Sequence, residues 1–149
     1  MNENPFEVPD GLEYEFAGGA SADVVAAAER KIGMKFPAAF RRFLERHGSG
    51  FVEHQEFIGL GGPAHRDVVE LTRTLRRELG EEVFQRDLIP VLADGYGNYE
   101  CLRESAGQNE WPVVFWRHEA GAHQELEVLA QDYEAWFGQT IVEILDQVD

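Results

Sequence analysis

The stretch Asp87 to Arg103, DLIPVLADGYGNYECLR, constrains this chain more than any other. An apolar run, Leu88 to Ala93, meets the turn formers Asp94-Gly95-Tyr96-Gly97-Asn98, and a second run of strand formers, Tyr99 to Leu102, follows. Glycine and asparagine tolerate the positive φ of tight turns, so the pattern predicts a β-hairpin. Pro90 has no N–H to give to a ladder, which places it near the start of its strand or on an unpaired side. Centring the turn on Gly97-Asn98 sets Tyr96 opposite Tyr99 and Ala93 opposite Leu102, and leaves apolar groups on both faces. Such a hairpin belongs in a sheet covered by helices on at least one side.

Charge narrows the partners. The chain has 149 residues, with 28 acidic and 13 basic side chains and a net charge of −15. The excess sits at the two ends. Residues 1–29 carry Glu3, Glu7, Asp10, Glu13, Glu15, Asp23 and Glu29 and no base. Residues 118–149 carry Glu119, Glu125, Glu127, Asp132, Glu134, Glu143, Asp146 and Asp149 and no lysine or arginine. Such a field repels nucleic acid and anionic membranes and attracts basic proteins; it also keeps a protein soluble whatever its partner. Cys101 is the sole cysteine, so no disulfide can form within the chain. The opening MNENPFEVPDG has no basic or apolar run of the kind that starts a signal peptide. A cytoplasmic location is expected.

The rest of the chain reads as α+β, a small mainly antiparallel sheet packed by helices. Residues 1–20 form a loosely attached arm in which Leu12 to Phe16 alternates like a short edge strand, and residues 21–149 form a single domain. Ser21 is a natural N-cap for a helix carrying Val24, Val25, Ala28 and Ile32, with Gly33 as its stop. Pro37 opens a second helix with Phe40, Phe43, Leu44 and His47 on one face, ended by Gly48-Ser49-Gly50. Phe51 to Leu60 is strand-like. Asp67 and Glu70 suggest a capping box ahead of the stripe Val68, Leu71, Leu75 and Leu79. Val113 to Trp116 is a third sheet strand. The last helix starts between Ala130 and Asp132 and buries Tyr133, Trp136, Phe137, Ile141, Ile144 and Leu145. Gly138 within it marks a kink or a close approach by another element.

No constellation of reactive groups stands out. His118 and His123, with Glu119 and Glu125 nearby, lack the i, i+4 spacing of a helical metal pair and read as solvated loop histidines. Cys101, between Glu100 and Leu102, lacks the electropositive setting of a reactive thiol. Gly59 to Gly62 is neither a P-loop nor a dinucleotide fingerprint. Asp94 beside Gly95 is the first residue of an Asx-turn in the ordinary case, and a general acid only in a hydrolase that would pair it with His118. No catalytic residue, metal or cofactor is expected. Tyr96, at the turn tip, is the aromatic best placed for contact with another protein.

The order of these segments resembles the SUKH superfamily. Ala28 to Leu44, ending at His47-Gly48-Ser49-Gly50, is similar to its opening signature: a helix, a glycine, an apolar-proline pair, an aromatic and Phe-Leu. Leu88 to Tyr99 resembles the second signature, Val113 to His118 the third, and Leu129 to Phe137 the closing helix. Asn98 stands where the family usually has aspartate, and Gly48-Ser49-Gly50 stands for its Asn-Gly-Gly stop. The resemblance implies an α+β fold without catalytic residues. It implies an immunity protein that binds and neutralises a cognate polymorphic toxin, often a nuclease, or else a regulatory or scaffold protein of the same fold. The expected partner is a basic toxin domain. The candidate binding residues are Asp94, Tyr96 and Asn98 at the turn, with Glu13, Glu15 and Glu134 from the acidic ends.

Overall fold

The computed structural model describes residues 4–148, so Glu3 and Asp149 of the acidic ends lie outside the described residues. Strand β1 (Tyr14–Phe16) leads into helices α1 (Ala22–Ile32) and α2 (Ala38–His47). Strands β2 (Gly50–Val52) and β3 (Gln55–Phe57) precede helix α3 (Val68–Leu79). Strands β4 (Leu88–Ala93), β5 (Tyr99–Arg103), β6 (Val113–Trp116) and β7 (Glu127–Ala130) lead to helix α4 (Tyr133–Gln147). The seven strands form one sheet in chain order, and every neighbouring pair is antiparallel. The fold is therefore α+β. No helix among the described residues is long and apolar enough to cross a membrane.

Local chemistry accounts for the helix ends. The Ser21 hydroxyl accepts from Val24 N–H, and Gly33 closes α1 at φ 84°. The Asp67 carboxylate accepts from the N–H groups of Val69 and Glu70, and that of Asp132 from Ala135 N–H. Pro37 caps α2 from outside the helix instead of being its first residue. Its side chain cannot satisfy the first-turn donors; Glu110 does so from the β5–β6 loop, accepting from Ala39 N–H.

Alternation along the strands builds two apolar layers. Ile89, Leu102 and Val113 join the larger core, which carries the aromatic rings of Phe6, Phe40, Phe43, Phe57, Tyr133, Trp136 and Phe137. Leu88, Cys101, Val114 and Trp116 pack on the opposite face with Leu75 and Phe84. There the Trp116 indole donates to the Val83 carbonyl at 2.9 Å.

Several expectations change. In the hairpin, Ala93 faces Tyr99 and Ile89 faces Leu102, because the turn spans Asp94 to Asn98 and the register shifts between Pro90 and Leu92. That irregularity is where Pro90 fits inside a strand. Phe51 to Leu60 is not one strand: it holds most of a tight β2–β3 hairpin, which turns through Glu53 at φ 51°. The segment before α4 contains β7, an edge strand the pattern does not reveal. The N-terminal arm is anchored, not loose. Phe6, Val8 and Leu12 are buried, and His47 Nε2 donates to the Phe6 carbonyl at 2.8 Å. Gly138 is exposed with open space where a Cβ would stand, so no element approaches it.

Candidate functional site

A meander of antiparallel strands sends successive turns to alternate ends of a sheet. Here the connections that contain α-helices, β1 to β2 and β3 to β4, leave from one end. The opposite end gathers Glu13, the Glu53-His54 turn, the Asp94–Asn98 turn and the 117–126 loop. Of the connections between strands, it carries short turns and one loop that includes a 3-10 turn at His118–Ala120.

The Asp94–Asn98 turn is held by its own polar atoms. Asp94 Oδ1 accepts from Tyr96 N–H at 2.7 Å and Asn98 N–H at 3.1 Å, and Asp94 Oδ2 accepts from Asn98 Nδ2 at 2.7 Å. Partial burial works against ionisation of Asp94, but the hydrogen bonds from Asn98 and Tyr96, with His118 nearby, outweigh it and lower its pKa. A general acid needs the opposite shift. Because Asn98 Nδ2 faces Asp94, its Oδ1 is free to accept, and it does so from both His118 N–H and His118 Nδ1, each at 3.1 Å. In that contact His118 donates from Nδ1, since an amide oxygen can only accept. It is not the freely solvated loop histidine expected from sequence, since it ties the 117–126 loop to the turn. Gly97 sits directly against its ring, at φ 92°. With the backbone so fixed, Tyr96 projects with 81% of its surface exposed.

The other sequence candidates scatter. Glu13 lies at the same end, where its backbone N–H meets the Glu53 carboxylate and its carbonyl accepts from Glu53 N–H. Glu15 stands exposed on edge strand β1, opposite Phe51. Glu134 is apart from the turn: it lies in the first turn of α4, at the far end of the sheet, and pairs with Arg42 at 3.5 Å. Glu53, Glu119, Glu125 and Glu127 add negative charge at the turn end. Arg117 is the one guanidinium of the 117–126 loop, and it lies over the Phe115 ring at 4.8 Å.

One residue the sequence reading passed over is Glu100. Cross-strand pairing sets Phe57, Leu92, Glu100, Phe115 and Glu127 in a row on the face that α4 covers. Glu100 Oε1 accepts from the Trp136 indole at 2.8 Å. Burial raises its pKa; the Trp136 hydrogen bond opposes this, and the charges of Glu143 and Asp94 add to it. No cation pairs with it among the described residues. It lines an open groove of about 480 Å³ together with His54, Gln55, Leu92, Asp94 and Tyr96. The signal was available: Glu100 shares its strand face with Leu102, so alternation places a charge on a covered surface. The role of Asn98 and His118 left no such signal, because they meet only through the sheet. Among the described residues, no three His, Cys, Asp or Glu side chains converge to hold a metal.

A model of the SMI1 / KNR4 family (SUKH-1) matches residues 19–139, well over half of the chain. The match runs from just before α1 into α4 and takes in the Asp94–Asn98 turn, while β1 and the buried Phe6 precede it. No curated protein matches.

Proposed function

Given that this chain belongs to the SMI1 / KNR4 family (SUKH-1), whose members serve in toxin immunity or regulation, we propose that it is an immunity protein that neutralises a cognate toxin by covering the toxin's active surface. Asp94, Tyr96 and Asn98 make the centre of the contact, with Glu13 and Glu15 flanking it. The toxin is a basic domain, of which a nuclease is the natural example, and the encounter takes place in the cytoplasm. The observation that carries this reading is the turn end of the sheet: a braced hairpin tip presents a large exposed aromatic amid a surplus of carboxylates. A braced loop loses little entropy on binding, and tyrosine is favoured where a surface is half apolar and half wet. The acid surplus steers a basic partner and raises its association rate at low salt.

The test is co-expression with the toxin domain encoded beside the gene, followed by association kinetics on the purified pair. Protection of the cells and an association rate that falls about tenfold or more as salt rises from low to physiological strength are expected. Tyr96→Ala should speed dissociation, and charge reversal at Glu13 and Glu15 should slow association. A rate indifferent to salt would remove the electrostatic part of the proposal. An effect confined to Glu134 would move the interface to the far end of the sheet. A neighbouring gene without a toxin domain would favour the family's regulatory role.

A further inference from the structure

The carboxylates around the groove beside the hairpin tip differ in what they already hold. Glu56 is engaged by His65 at 2.8 Å and Arg66 at 3.1 Å. Both oxygens of Asp94 are taken by the turn. Glu100 is different. Only Oε1 has a hydrogen-bond partner, no cation pairs with it among the described residues although Arg117 lines a second groove with it, and it stands half-buried in the row between Leu92 and Phe115. A half-buried charge without a counter-ion is unfavourable, and the nearby Glu143 and Asp94 make it more so. If the task of this side chain were only to accept the Trp136 N–H, a glutamine would serve without that penalty. A carboxylate held in a fixed seat and facing an open groove is suited to a positive charge arriving from outside.

We propose that this groove is a socket for a cationic side chain, arginine or lysine, projecting from the protein partner, with Glu100 as its counter-charge. The socket rests on the reading that this end of the sheet meets a basic protein. At about 480 Å³ the groove has room for one long side chain. Tyr96 stands at its rim, where a guanidinium or an aliphatic stem can lie against the ring. Entry of the cation neutralises Glu100 and relieves its repulsion with Asp94 and Glu143, so a charge that is unfavourable in the free protein gains a partner in the complex.

The experiment needs no toxin. N-acetylarginine amide and its neutral isostere, N-acetylcitrulline amide, are titrated separately into the full-length protein while the Trp136 indole N–H resonance is followed. The arginine probe should shift that resonance saturably and the citrulline probe should not. In Glu100→Gln, which keeps an acceptor for Trp136, the response to arginine should weaken at least tenfold, with a melting temperature no lower than that of the parent. Equal responses to the two probes in the parent protein, or an undiminished arginine response in Glu100→Gln, would overturn the socket. Toxin binding is scored separately. A toxin held with full affinity by Glu100→Gln, together with an indifferent Trp136 resonance, removes the socket and leaves the immunity reading standing. A saturable arginine response with no toxin binding does the reverse.

Discussion

Asn98 does two jobs with one carboxamide. Its Nδ2 donates to Asp94 and its Oδ1 accepts from His118, an arrangement only an amide can satisfy at neutral pH. An aspartate there would keep the acceptor and lose the donor, and would set a second negative charge beside Asp94. Asn98→Asp should therefore lower stability by about 1 kcal/mol near pH 7. The deficit should narrow on acidification, as a shared proton restores a donor between the two carboxyls. Urea unfolding at pH 7 and pH 4 checks this. A deficit that is absent at pH 7, or that grows at pH 4, would mean that the amide does not brace the turn. The Asx-turn itself was legible, since Asp followed by Gly is a local signal. The histidine was not, because His118 reaches the turn through the register of β5 against β6.

Among the elements, the helices were readable because their instructions are local: Ser21, Asp67 and Asp132 begin them, Gly33, Gly48 and Gly80 end them, and a period of 3.6 fixes the buried face. The edge strands were harder. Strand β7 has four residues and leads almost directly into the apolar stripe of α4, so helical periodicity hides it. The β2–β3 turn has no glycine, and Glu53 takes the positive φ instead, which removes the usual hairpin signal. The family resemblance read from the chain, by contrast, held, as did the α+β class. Gly138 belongs at this scale too. It lies on the exposed side of α4 with nothing near a prospective Cβ, so it only loosens the helix. Gly138→Ala should stabilise the protein by about 1 kcal/mol, seen as a higher denaturant midpoint at unchanged slope. A loss of stability would show that the helix needs freedom there.

Across the molecule, the N-terminal segment and α2 are joined through His47. Its ring stacks on Phe16 with centroids 3.9 Å apart, and its Nε2 donates to the Phe6 carbonyl. Burial lowers its pKa below 6.5; the bond to Phe6 opposes this, and Arg46 adds to the lowering. The folded state therefore binds a proton less readily than the unfolded chain. The contribution of His47 is complete above the unfolded value of 6.5 and is lost as pH falls below it toward the folded value. His47→Gln keeps an N–H for Phe6 and does not titrate. Between pH 7.5 and pH 5 the parent should lose stability relative to this variant, and parallel pH profiles would contradict the assignment.

The arrangement of connections in the sheet also has an evolutionary reading. One end of the sheet receives the strand-to-strand connections that contain α-helices, whereas the other offers surface turns whose side chains add little to the core. Exposed turns can change in length or charge while the helix-bearing end keeps its packing. Lineages of this chain should therefore differ most in the exposed residues of the 117–126 loop that do not brace the turn, and least beneath α2 and α4.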